Sequence, residues 1–201
     1  FLGNRSSGRQ GVALAEAARA RGADVHLIAA NLLVPAPDDI TVTRVGSALE
    51  LRDAVRAAAA QADVVVMAAA VADFRPQDVP DSKIKKVAGS APPTITLVEN
   101  PDILAELADD RLRADQVVVG FAAETGDAEN TVLALGQAKA RRKGADLLVV
   151  NDVSGGKTFG ASDSAVHLLD AAGEVIAEAT GTKRDVADVI LDAVIPLLVR
   201  R

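Results

Sequence analysis

Short, uninterrupted apolar runs alternate with longer amphipathic segments along this 201-residue chain. The clearest run is VVVMAAAVA at residues 64–72. A strand that shows one face to water alternates apolar and polar residues. A run that does not alternate suits a parallel strand covered on both faces. Residues 23–29 (ADVHLIA), 116–121 (QVVVGF) and 146–150 (DLLVV) also read as strands. Between them, residues 9–21, 100–109 and 128–143 are predicted helices, the first of which stops at Gly22. Ser47 and Glu50 form a capping-box pair that opens another helix to about Ala60. Residues 40–45 and 94–98 are predicted as further strands. Strands that alternate with helices imply an open, mostly parallel sheet with helices on both faces, a Rossmann-like α/β fold. Right-handed crossovers then bring the strand C-terminal ends to one edge.

The rest of the chain completes a single domain over 1–201. Residues 164–170 and 174–179 read as a C-terminal β-hairpin around Ala171-Ala172-Gly173. Thr182 and Asp185 open a last helix to about Leu198. Asp73 to Pro93 carries Pro76, Pro80, Pro92 and Pro93, so it is neither helix nor central strand. A loop that long inside a compact domain is expected to be a lid. Residues 154–163 are a loop. Phe1 and Leu2 read as the end of a strand whose beginning is absent, so the chain is expected to be part of a longer protein.

Composition narrows the function classes. Cys is 0, which excludes a disulfide scaffold and a cysteine-ligated metal site and fits a reducing compartment. The two histidines, His26 and His167, are too few for a His-rich metal centre. A net charge of -6 and 2% aromatics argue against a general nucleic-acid binder or a base-stacking platform. No apolar run approaches the roughly 18 residues of a membrane span.

Chemistry-bearing residues gather at the strand ends. Asn4-Arg5-Ser6-Ser7-Gly8, Asp73-Phe74-Arg75, Ala122-Ala123-Glu124-Thr125 and Asn151-Asp152 would share one rim, the edge where such folds bind ligands. The turn GNRSSGRQ has the glycine spacing of a phosphate-binding loop but lacks its Lys-Ser/Thr pair. It also lacks the G-x-G-x-x-G order, and no acidic residue clearly ends the second strand to hold a ribose. What remains is a glycine turn feeding a helix N-terminus, suited to an anion through N–H groups and hydroxyls. An ordinary strand-to-helix turn explains the same residues. Lys83, Lys85 and Lys86 lie on the lid, where lysines close over phosphates. For Lys85 and Lys86 a solvated basic loop is the better explanation. Asp73, at the lid's base, suits Mg²⁺ or a ribose. Lys139 and Lys143 are four apart and share a helix face, although the helix dipole favours cations there in any case. His26 and His167 are read as structural, and no Ser-His-Asp or Cys-His arrangement is present. These residues imply a phosphorylated ligand under a lysine-bearing lid and leave the reaction open.

Seven motifs in order resemble those of phosphopantothenoylcysteine synthetase, the phosphopantothenate–cysteine ligase of coenzyme A biosynthesis. They are N-x-S-S-G-x-x-G from Asn4, A-A-V-A-D-F-R ending at Arg75, K-I-K-K from Lys83, N-P-D-I from Asn100, G-F-A-A-E-T from Gly120, K-x-x-x-K from Lys139 and N-D-V from Asn151. The resemblance implies ligation of 4′-phosphopantothenate to cysteine, with CTP and Mg²⁺, through an acyl-cytidylate. Asn4 would hold the acyl centre, and Lys83 would act on the triphosphate. Met67, Ala68 and Ala69 would lie along the nucleotide, with Asp73 near its ribose or the metal. Asn100, Pro101, Asp102 and Ile103 would form the cytosine-side loop, Phe121 would pack on the nucleotide, and Lys139 and Lys143 would contact its phosphates. Ser6, Ser7, Gly8, Gly11 and Ala70 would serve the phosphopantothenate side.

The resemblance also implies a cytoplasmic homodimer, for which hairpin 164–179 offers an edge. It further implies a flavin-dependent decarboxylase domain on the full-length chain. Neither flavin nor decarboxylation is assigned to the residues present, and no nucleic acid or membrane partner is expected. A short-chain reductase on the same fold would need a Tyr-x-x-x-Lys base, and Tyr is 0. A nucleotide-binding regulatory module without catalysis remains as the second reading. The residues alone leave CTP and ATP both open.

Overall fold

Val117, Val118 and Val119 are fully buried, as are Val149 and Val150. Consecutive burial of this kind requires cover on both sides of a strand. The computed structural model, which describes residues 3–4, 6–86, 89, 91–153 and 163–199, provides it. In chain order the elements are α1 (Arg9–Ala20), β1 (His26–Ala30), β2 (Thr41–Val45), α2 (Ala48–Ala59), β3 (Val64–Met67), β4 (Phe74–Pro76) and β5 (Leu97–Glu99). There follow α3 (Ile103–Asp109), β6 (Val117–Glu124), α4 (Val132–Lys143), β7 (Leu147–Asp152), β8 (Asp163–Asp170), β9 (Val175–Thr182) and α5 (Lys183–Val199).

The central sheet has five strands in the order β3-β6-β7-β8-β9. β3, β6 and β7 run parallel, and β8 and β9 return antiparallel as the expected hairpin. On one face, Val117, Val119, Leu147 and Val149 pack against Ala13, Leu14 and Ala17 of α1 and Val186, Ala187, Ile190 and Val194 of α5. On the other, Val65, Met67 and Val118 meet Leu51, Val55 and Ala59 of α2 and Ile103 and Leu107 of α3. Leu148 and Val150 on that same face meet Ala140 of α4. α4 lies so close that a Cβ on Gly136 would sit 2.7 Å from Val150 Cγ2, so a larger residue there would push the helix off the sheet. None of the described helices is long and apolar enough to cross a membrane.

Helix starts agree with the sequence reading where a side chain sets them. Ser47 Oγ accepts from Glu50 N at 3.2 Å, and Glu50 reaches back to Gly46 N at 2.9 Å. Thr182 and Asp185 cap α5 reciprocally, at 3.2 and 2.9 Å. Two predicted starts move inward. α4 begins at Val132 behind the cap Thr131, because Asp127 Oδ1 ties up Glu129 N and Asn130 N in a turn first. α3 begins at Ile103, because the Asp102 side chain takes Ala105 N as its cap.

Three further differences concern the rim. The strand expected over 64–72 ends at Met67, and 68–72 leave the ladder. β1 and β2 form a separate parallel pair that joins the body through Ile28 and Val45, packed against the α2 cluster. The expected strand end at Phe1 and Leu2 lies outside the described residues, as does loop 154–162. The proline-rich stretch is also not irregular throughout. Phe74–Pro76 pairs antiparallel with Leu97–Glu99, and Gln77 N donates to Thr96 O at 2.9 Å. The strand predicted at 94–98 therefore shifts, and the lid becomes a strap rooted on a two-stranded base. Pro76 closes that base, in keeping with a proline's place on an edge strand.

Candidate active site on the sheet rim

The five small apolar residues Ala68-Ala69-Ala70-Val71-Ala72 follow buried Met67 and end the ladder. Their backbone carbonyls still need donors. For Val71 and Ala72, two side-chain amides from distant parts of the chain supply them. Asn4 Nδ2 donates to Val71 O at 2.9 Å, and Asn100 Nδ2 donates to Ala72 O at 2.8 Å. Asn100 N also donates to Asp73 O at 2.8 Å. The Asn100 amide is held on both sides, because Arg75 Nη1 donates to its Oδ1 at 3.3 Å and to Glu99 O. Ala69 and Ala70 remain exposed beside this bridge, while Ala68 is half-buried.

The opening turn stands next to Asn4. Gly8 takes φ +77°, a left-handed conformation open to glycine, and ends the turn as the N-cap of α1. Ser6 and Ser7 hydroxyls accept long bonds, both 3.4 Å, from Gly8 N and Arg9 N. Gly11 lies in the first turns of α1 with open space where a Cβ would be, so its backbone can be approached closely.

On the other side of Asn100, the loop enters α3. Asp102 caps that helix through Ala105 N at 3.2 Å and also pairs with Lys143 at the end of α4. Partial burial would raise the Asp102 carboxyl; the Lys143 ammonium and the Ala105 N–H outweigh it and hold the group below its ordinary value. Lys139, one turn earlier, contacts Glu124 at the end of β6 at 2.5 Å. A run of contacts therefore links Asn4, the 71–72 carbonyls, Asn100, Asp102 and Lys143, with Lys139 and Glu124 one helical turn away.

Other expected residues lie apart from this run. Phe121 faces the α1 and α5 side of the sheet and stands opposite Val149. Its β6 neighbour Ala122 faces the α4 side, where Lys139 emerges. A ligand touching both Phe121 and Lys139 would have to lie across the strand ends. Lys83 is exposed on the strap. Asp73 is exposed, and among the described residues no group of three or more carboxylates or histidines could hold a metal. One carboxylate still fits Mg²⁺ that arrives on phosphate oxygens, since this ion commonly takes one or two carboxylates plus substrate oxygens. Asn151, at the end of β7, has a buried Oδ1 without a hydrogen-bond partner among the described residues.

Neither the carboxylate partners of the two lysines nor the bond from Arg75 to Asn100 is evident from the sequence. The lysine partners join different elements, and no local spacing announces them. Arg75 was visible within A-D-F-R, but only the antiparallel pairing of β4 and β5 brings it to Asn100.

Residues 1–197 match the family described as DNA/pantothenate metabolism flavoprotein C-terminal domain. The coenzyme A biosynthesis bifunctional protein CoaBC of Mycobacterium bovis is 49% identical over 205 residues, covering 98% of this chain and 48% of that protein. The protein of the same name from Vibrio vulnificus is 41% identical over 175 residues, covering 87% of this chain and 42% of its own length. The chain thus spans about half the length of the curated relatives it matches. A crystal structure of the C-terminal domain of the coenzyme A biosynthesis bifunctional protein CoaBC is similar, with a TM-score of 0.78 and 33% identity. The match covers 98% of this chain and 86% of that one. The chain belongs to the DNA/pantothenate metabolism flavoprotein C-terminal domain family.

Proposed function

We propose that this chain carries the ligase activity of coenzyme A biosynthesis: CTP-dependent joining of 4′-phosphopantothenate to cysteine, giving 4′-phosphopantothenoylcysteine, CMP and pyrophosphate. The observation that carries the reading is the rim itself. Residues from four of the separate motifs meet there through Asn4, Asn100, Asp102 and Lys143.

A carboxylate is a poor acyl donor because its leaving oxygen is a strong base. In the first step the phosphopantothenate carboxylate oxygen attacks the α-phosphorus of CTP, and pyrophosphate leaves. In the second, the cysteine amine attacks the acyl carbon of the acyl-cytidylate, CMP leaves, and the amine loses a proton. No protein nucleophile is required. The protein's share is positioning and stabilisation of charge. Lys139 and Lys143 would receive phosphate oxygens, and Lys83 would swing in on the strap to neutralise the departing pyrophosphate. Met67, Ala68, Ala69 and the Asn100–Ile103 loop would line the nucleotide, with Phe121 across the strand ends. Asp73 would share Mg²⁺ with the phosphates, and that ion would supply charge neutralisation at the triphosphate. Ser6, Ser7, Gly8, Gly11 and Ala70 would hold phosphopantothenate. A cytoplasmic homodimer and a flavin-dependent decarboxylase domain on the full-length protein belong to the same proposal.

The test is to incubate the chain with CTP, Mg²⁺, phosphopantothenate and cysteine and to follow pyrophosphate and CMP. Both should appear, with pyrophosphate release dependent on phosphopantothenate. Stabilisation by CTP without turnover would favour a nucleotide-binding module instead. Asn4→Asp separates the steps. It replaces the donor to Val71 O with a second acceptor, so the acyl-centre contact should fail while activation continues. Acyl-cytidylate should then accumulate; loss of pyrophosphate release in this variant would remove Asn4 from the second step.

A further inference from the structure

We propose that Glu124 is the positioning residue for Lys139, whereas Asp102 is an exchangeable counter-ion that hands Lys143 to an incoming polyphosphate. The inference rests on the reading of this rim as a polyphosphate site.

Both lysines stand on one face of α4, and each is held by a carboxylate from a different element. The two carboxylates differ in their surroundings. The Glu124 side chain is 14% exposed and sits at the end of a strand whose first four residues are buried. Its close contact with Lys139 lacks the alignment of a hydrogen bond, and the buried Oε1 has no hydrogen-bond partner among the described residues. A carboxylate so shielded cannot give up its cation without being left as an uncompensated charge. Lys139 is therefore retained, with its ammonium free to bridge from Glu124 to a second anion, since it has three donors.

Asp102 is 50% exposed and has a second partner in Ala105 N at the start of α3. When Lys143 leaves, water and that N–H still satisfy Asp102. The Lys143 side chain is 17% exposed, so it loses more than Asp102 does if left alone, and it needs a replacement anion. A phosphate oxygen supplies one. One pair is thus fixed and the other exchanges, although both join a lysine of α4 to a carboxylate on the same rim.

The experiment measures binding of inorganic tripolyphosphate by calorimetry at low and moderate salt. It uses the wild type, Asp102→Asn, Glu124→Gln, Glu124→Asp, Lys139→Met and the Glu124→Gln/Lys139→Met double variant. Asp102→Asn keeps a competent helix cap but no longer competes for Lys143, so binding should tighten several-fold. Glu124→Gln should weaken binding several-fold, Glu124→Asp should recover part of the loss, and Glu124→Gln should add nothing once Lys139 is Met. With CTP, Glu124→Gln should raise KM more than it lowers kcat.

If Glu124→Gln tightens binding as Asp102→Asn does, Glu124 is only a second competitor and the proposal fails. The same holds if Glu124→Gln still weakens binding in the Lys139→Met background. Should Glu124→Gln not fold, Glu124→Asp at or above wild-type affinity overturns the proposal in its place. If Lys139→Met itself leaves tripolyphosphate binding unchanged, the failure belongs to the polyphosphate reading of the rim.

Discussion

β7 and the stretch 64–72 are both runs of apolar residues, and the fold uses them in opposite ways. In β7, Leu147, Leu148, Val149 and Val150 are at most 1% exposed, and alternate side chains enter cores on the two faces. In 64–72 only the first four residues stay in the ladder. The remaining Ala-rich segment leaves Ala69 and Ala70 exposed. Large branched side chains gain enough from burial to hold a strand between two helical layers. Alanines gain little, and their backbone is thin enough for other groups to reach its carbonyls. The contrast separates a part of the molecule that provides stability from a part that would receive ligands in the proposed function.

Variants can break or sharpen that contrast. The largest expected effect is Lys83→Gln, which should slow CTP-dependent pyrophosphate release by about a thousandfold, in the upper range for loss of a charge-stabilising group. Its thermal midpoint should match the wild type, because the side chain is exposed on the strap. A lowered midpoint would show that the strap carries stability and would blur the division.

Leu148→Ala is the converse. Removing a side chain that is 1% exposed should cost about 3 kcal/mol in urea unfolding. KM values in the surviving folded protein should stay close to wild type. Asn100→Ala lies between the two regions. It frees the Ala72 carbonyl and leaves Arg75 only the Glu99 carbonyl as acceptor, and should raise KM for CTP about tenfold, or ~1.4 kcal/mol. A change in stability without a change in KM would make Asn100 part of the scaffold only.

The smallest effect is in pH dependence. The Asp102 carboxyl is held below its ordinary value in the folded chain, mainly by Lys143 and Ala105 N against the opposing cost of burial. Its stabilisation is complete above the unfolded value of about 4 and is lost as pH falls through the lower folded value. The thermal midpoint difference between wild type and Asp102→Asn should therefore shrink as the solution is acidified below pH 4. A difference that grows on acidification would mean the carboxylate is not the stabilised form.

Much of this architecture was legible from pattern. β6 and β7 were legible as strands because each is a short apolar run that follows a helical segment. The caps at Ser47 and Thr182 were legible because each involves residues three apart. Lys139 and Lys143 were placed on one face by helical spacing. The end of β3 was not legible, because an apolar run carries no mark where a ladder partner stops. Nor was the strap's base, since the prolines obscured a pairing between segments far apart in sequence.

The sequence by itself determined the layered α/β design, the helix that presents two lysines and the ordered motifs that point to a ligase. These follow from local periodicity, capping chemistry and the order of residues along the chain. Tertiary structure alone decided what those residues face. Asn4 meets a carbonyl 67 residues away, Asn100 one that is 28 away, and Lys143 a carboxylate that is 41 away. Such pairings depend on how strand ends converge, and a single chain's local spacing does not record that. The same convergence gave the two lysines unequal carboxylate partners, one shielded and one half in water.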